Sequence, residues 1–256
     1  MLARTTMTAV AALAMTLGGC TTTTAAEGGV AGAGNGLSAD AAYIQAAVDN
    51  PARPEDQVAD DANRKPAEML AFAGVEPGDK IGELIPGGGY FTRIFSGAVG
   101  AEGAVYTFTS ARGADTVRAI AEDPAFSNVV YVEGSVTDIS SPEPLDLVWT
   151  SQNYHDLRQG RDTLNASIYE ALKPGGHYVV LDHSAEDGSG YGAVEAGLHR
   201  IDQAFVRAEV EAAGFEYVGE SDALRNPDDA RNVGPFDPSI RGRTDQFVML
   251  FVKPEM

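Results

Sequence analysis

The chain has 256 residues, 44% of them hydrophobic, which is enough for one sizeable core but not for two full domains. A formal charge of −19 opposes phosphate backbones, so no nucleic-acid partner is expected, and the charge is otherwise read as a solubility feature. The single cysteine, Cys20, excludes an intramolecular disulfide.

Residues 1–20 read MLARTTMTAVAALAMTLGGC. Arg4 supplies a positive start and Val10 to Leu17 a short apolar run, and Leu17-Gly18-Gly19-Cys20 resembles the lipobox of bacterial lipoproteins. The run is shorter than the roughly 20 residues a spanning helix needs. The resemblance implies cleavage before Cys20, acylation of its thiol, and a periplasmic protein that meets a membrane only through that lipid. Residues 21–39 are mostly Thr, Ala and Gly, cannot bury apolar area, and read as a flexible tether. The expected organisation is a signal peptide over 1–19, a lipidated cysteine and tether over 20–39, and one folded domain over 40–256.

Within that domain, Tyr43, Ile44, Ala47 and Val48 recur at helical spacing, and Pro51 and Pro54 are read as its stop. Residues 51–65 read as polar loop. Pro66 opens a short helix carrying Met69, Leu70 and Phe72. Strands are then expected at 80–85, 104–109, 129–132, 145–150, 177–181, 215–220 and 247–252. Helices are expected through Ile94 and Val99, over 116–121, around 163–171 and near 201–213. This alternation predicts an α/β fold: a seven-stranded, largely parallel sheet with helices on both faces, whose ligands sit beyond the strands' carboxyl ends.

Glu83-Leu84-Ile85-Pro86-Gly87-Gly88-Gly89-Tyr90 joins the first strand to a helix. Glycines there permit a tight turn and close approach to a ligand, and the helix start offers free N–H groups. From Arg64 to Pro254 the chain resembles class I S-adenosylmethionine-dependent methyltransferases, most closely a bacterial set of exported "predicted methyltransferases" with a PGGG loop. ELIPGGGYFT, LDLVWTSQNYHD, LKPGGHYVVLDH, HRID and TDQF carry the resemblance. It implies a Rossmann-like methyltransferase sheet and S-adenosylmethionine as cofactor, with Glu83, Pro86, Gly87, Gly88, Gly89, Tyr90, Asp138 and Asn153 around it. Two departures stand out. Ile85 occupies the usual first-glycine position, and the second strand ends in Thr107-Phe108-Thr109-Ser110 without the acid that grips the ribose. Ser135 stands where an aspartate usually meets the adenine, with Asp138 three residues on.

Asn153-Tyr154-His155-Asp156, Asp182-His183 and His199-Arg200-Ile201-Asp202 all fall at the expected ligand rim. His155 with Asp156, or His183 with Asp182, would serve as a base that takes the acceptor's proton, and His199 belongs to the same catalytic group. Two histidines and a carboxylate could instead hold zinc or iron, although no compact ligand motif is present, and no metal ligands are assigned. A plainer alternative has Asp156, Asp182 and Asp202 capping turns and helices. His177 is read as surface and Trp149 as core; Arg64 and Lys65 could meet an anion but are read as a solvated helix start. Arg225-Asn226-Pro227 and Arg241–Asp245 flank a loop able to fold over the pocket. The expected function is methyl transfer to a small acceptor. The alternatives are an exported domain of this fold with a different ligand, and a non-catalytic envelope lipoprotein.

Overall fold

The structure is a computed structural model that describes Met1 and residues 37–255. The apolar run, the lipobox and most of the tether lie outside the described residues. No described helix is long and apolar enough to cross a membrane.

Seven strands form the sheet: β1 Lys80–Leu84, β2 Ala104–Thr109, β3 Val129–Glu133, β4 Leu145–Ser151, β5 Leu172–His183, β6 Glu216–Glu220 and β7 Gln246–Val252. Their order is β3-β2-β1-β4-β5-β7-β6, with β7 antiparallel to both neighbours and every other pair parallel. This is the expected seven-stranded, largely parallel sheet with helices on both faces. Strand order reverses between β1 and β4, so the loops leaving those strands open the crevice where such sheets bind ligands.

Side-chain alternation along the strands feeds two apolar clusters. Leu147 and Trp149 of β4 join one with Phe91, Ile94 and Phe95 of α5 (Tyr90–Val99), whereas Val148 joins Leu164 and Ile168 of α7 (Arg161–Ala171) in the other. Trp149 is core as expected, its ring 4.8 Å from Phe91 and 5.5 Å from Phe95.

Residues 51–65 are not loop. They form two short helices, Glu55–Ala59 and Asp61–Arg64, between the expected helices Ala42–Val48 and Pro66–Ala73. Pro54 is the N-cap of the first of these rather than a stop. The buried Arg53 guanidinium donates to both Asp61 carboxylate oxygens, at 2.9 and 2.6 Å, and pins the segment. Leu37 and Ala39, assigned by composition to the tether, pack against the core. β5 also starts earlier than expected. Gly175 N–H donates to Lys253 O and Lys253 N–H to Gly176 O, so the KPGG turn continues the sheet.

Candidate functional site

β1 delivers the glycine loop. Ile85 holds φ 48° there, a left-handed conformation rare for a β-branched residue and costing roughly 1–2 kcal/mol. The backbone thus keeps a glycine-like shape at the position where the resemblance leads one to expect glycine. Two anchors oppose the strain: Ile85 N–H donates to Phe108 O at 2.8 Å, and Asn153 Nδ2 donates to Leu84 O at 3.0 Å. Gln57 Nε2 and the Arg93 guanidinium donate to Gly88 O. The resulting cavity, about 410 Å³, is lined by Pro86, Gly87, Gly88, Tyr90, Asn153 and Asp156 together with Gln57, Asp60, Arg64 and Gln152.

A second cavity of about 410 Å³ adjoins it and shares Asp60, Arg64 and Gln152. His183, Thr244, Gln246, Phe236 and Arg241 line its other walls, so the loop ahead of β7 does reach the pocket. Arg64 Cζ lies 3.9 Å from the centroid of the Tyr90 ring, and among the described residues no carboxylate is within ion-pairing distance of it. Arg64 is therefore a cation facing both cavities, not a solvated helix start.

The three histidine clusters converge. Ile201 N–H donates to His183 O and Ala185 N–H to Ile201 O, which lays the HRID segment beside the end of β5. Asp182, fully buried, accepts from His155 N–H at 2.8 Å, His155 Nδ1 at 2.7 Å and its neighbour's His183 N–H at 2.7 Å. His155 is buried with its ring 6.0 Å from His183 and 5.4 Å from His199. Burial disfavours the His155 imidazolium, yet the Asp182 carboxylate, by charge and hydrogen bond, and Asp156 raise its pKa on balance. Burial drives His183 down to about 4, only partly offset by Asp182, so His183 is neutral at physiological pH. His183 Nδ1 meets Thr244 Oγ1 at 2.8 Å. Asp202 caps helix Gln203–Ala212 through Ala204 N–H, as the plainer alternative had it, whereas Asp182 caps no helix.

Some expected residues stand apart. Asp138 is exposed and outside the lining of both cavities. Gly89, at φ 74°, is the N-cap of α5, and a Cβ there would fall 2.2 Å from Ile120 Cδ1, so its role is packing. His177 is half-buried rather than on the surface. Glu83 lies behind the loop, buried, accepting from Thr92 Oγ1 at 2.5 Å.

Burial pushes Glu83 up to about 7, against the Thr92 bond, Arg64 and Arg93. Its folded value exceeds its unfolded one, so its contribution to stability is complete below about 4.5 and is lost as pH rises through about 7. Glu83→Gln should gain on the wild type by on the order of 3 kcal/mol between pH 4.5 and 8. Urea midpoints across that range check it, and parallel curves would refute it.

No protein-family model matches the sequence, and no curated protein matches it. Solved structures match the fold. A SAM-dependent methyltransferase from Aquifex aeolicus superposes with TM-score 0.56 at 16% identity, over 78% of this chain and 98% of that one. The glycopeptide N-methyltransferase MtfA, complexed with S-adenosylmethionine, gives 0.52 at 18% identity over 76% and 87%. The [4+2]-cyclase SpnF gives 0.59 at 17% identity over 80% and 84%. One sheet thus serves two chemistries, and the site must decide.

Proposed function

We propose that this chain transfers a methyl group from S-adenosylmethionine to a small acceptor. The observation that carries the reading is the pair of adjoining cavities, one on the glycine loop and one against His183, with Asp60, Arg64 and Gln152 common to both. When bound, the cofactor supplies a methyl carbon made electrophilic by a sulfonium. The loop suits it, because a Cβ at Gly87 would meet nothing within 4 Å, leaving open space over bare backbone. A volume of about 410 Å³ falls in the range of small-ligand sites.

In this reading Pro86, Gly87 and Gly88 hold the methionine end and Arg64 takes its carboxylate. Asp60 supplies an acceptor for a ribose hydroxyl, in place of the acid missing after β2. The acceptor occupies the second cavity. With His183 Nδ1–H donating to Thr244, Nε2 keeps the lone pair that receives the acceptor's proton. The pattern at Leu17–Cys20 supports export and lipid anchoring at Cys20, and intact mass of the membrane-bound protein checks that.

Calorimetry with S-adenosylmethionine tests the loop. A Kd within the roughly 1 μM–1 mM span of enzyme substrates is expected. Gly87→Asn keeps a residue that tolerates the left-handed φ of 57° but puts an amide into the cavity. Affinity should fall at least tenfold (about 1.4 kcal/mol) while stability changes by less than about 1 kcal/mol. No heat at millimolar cofactor, or unchanged binding in the variant, would refute the assignment.

A further inference from the structure

We infer that His155 Nε2, Asp156 Oδ1 and His199 Nδ1 form a binding site for one divalent transition-metal ion, zinc or a close substitute, at the edge of the glycine-loop cavity. The inference goes beyond methyl transfer and does not depend on it. The three atoms all lie within 4.8 Å of one another. Asp156 Oδ1 is 3.4 Å from His155 Nε2 and 3.3 Å from His199 Nδ1. Both distances exceed the roughly 2.7–2.9 Å of a charge-assisted hydrogen bond. They equal the edge of a tetrahedron whose centre lies about 2.0–2.1 Å from nitrogen and oxygen ligands, about 3.3–3.4 Å. The third edge closes by rotation of His199, whose side chain is 42% exposed.

The surroundings of His155 are those of a ligand imidazole. Its Nδ1 is engaged by the fully buried Asp182 at 2.7 Å, which fixes the tautomer and leaves the Nε2 lone pair toward Asp156. The backbone N–H of His155 is held by the same carboxylate, so ring and main chain are oriented together. His199 is set by a left-handed backbone, φ 51°, and its ring lies edge-on to Phe236, 5.4 Å between centroids. Strain of this kind, of order 1–3 kcal/mol, persists where surrounding contacts dictate the geometry. His183 is not part of the set, because its Nδ1 goes to Thr244. The two-histidine, one-carboxylate alternative considered from sequence thereby acquires His155, His199 and Asp156 as its members.

Three protein ligands leave at least one coordination position open, the arrangement of catalytic rather than structural zinc. Asp156 lines the loop cavity, so the ion borders that cavity and presents a Lewis acid to an oxygen ligand there.

The test uses the full chain without affinity tag, stripped by a chelator and titrated with zinc chloride in a calorimeter. One equivalent should bind with micromolar or tighter affinity. Asp156→Ala and His199→Ala should each weaken it at least tenfold, Asp182→Asn by roughly 10–100-fold, and His183→Ala by less than twofold. Cobalt(II) should give visible absorption in the wild type that His199→Ala removes, with circular dichroism confirming that the variant is folded. Gly87→Asn should bind zinc as the wild type does, which separates failure of the cofactor loop from failure of this site. No binding below millimolar zinc, or affinity indifferent to Asp156 and His199, overturns the inference.

Discussion

Asp182→Ala should lower the unfolding free energy by on the order of 3–5 kcal/mol, the range for stripping a partner from a buried charged pair. Three donors lose their acceptor at once: the main-chain N–H groups of His155 and His183, and His155 Nδ1. None reaches water, because Asp182, His155 and His183 are all buried. Asp182→Asn separates shape from charge. One position must then present an amide N–H to a donor. If that amide faces Nδ1, the imidazole must move its proton to Nε2, and the lone pair facing Asp156 is lost. Nitrogen NMR of the His155 ring reads the tautomer directly, and urea denaturation reads the stability.

The pH dependence has a defined direction. His155 has a raised folded pKa, so its pairing with Asp182 is fully felt below the unfolded value near 6.5 and fades as pH climbs through the folded one. The stability gap between wild type and Asp182→Asn should therefore be wider at pH 5.5 than at pH 9. Equal gaps, or an unchanged tautomer, would mean that Asp182 only fills space. If the methyl acceptor is found, removal of Asp182 should cost about 10²–10⁴ in turnover, the worth of a misaligned proton-transfer site.

The sheet was readable because each strand is a short apolar run bounded by turn residues, and that pattern depends on neighbours in sequence. The glycine loop was readable for the same reason, down to Ile85, whose left-handed φ of 48° shows the backbone keeping a shape its side chain resists. What the sequence concealed is long-range. Asp156 and His199 are 43 positions apart and meet because Ile201 pairs with Ser184 in an isolated bridge, which no periodicity announces. Residues 51–65 read as loop because Pro54, taken for a stop, serves at a helix start, and the Arg53–Asp61 pair that folds the segment over the loop involves two ordinary-looking charges. Gln57 and Asp60 escaped notice as cavity residues with it, and Arg64 was read as a solvated helix start. Asp138 came only from the resemblance, and it is exposed and lines neither cavity. Thr244 and Gln246 had a usable signal, since both belong to the TDQF piece.

Arg200→Ala is expected to cost a comparable 3–5 kcal/mol, with a different consequence. The Arg200 guanidinium is fully buried, donates to Val233 O at 2.7 Å, Ser184 O at 3.0 Å and Asp229 Oδ1 at 3.2 Å, and pairs with Asp229 Oδ2 at 2.9 Å. Asp229, itself held low in pKa against the cost of burial by these donors, also accepts from the N–H groups of Arg231 and Asp245. Asp245 in turn accepts from Asn226 N–H and pairs with Arg231. This chain of bonds ties both ends of the 226–245 segment to the end of β5, and that segment carries Phe236, Arg241 and Thr244 to the second cavity. Arg200→Lys should recover little, because an ammonium cannot reproduce the guanidinium fork that reaches three acceptors. Loss of the latch should open the segment before the domain unfolds, so limited proteolysis within 226–245 should accelerate at least tenfold. The glycine loop makes none of these contacts, and cofactor binding there should stay within about twofold of the wild type. Cleavage at the wild-type rate, or equal loss of binding at both cavities, would show that Arg200 supports the whole domain and not this wall alone.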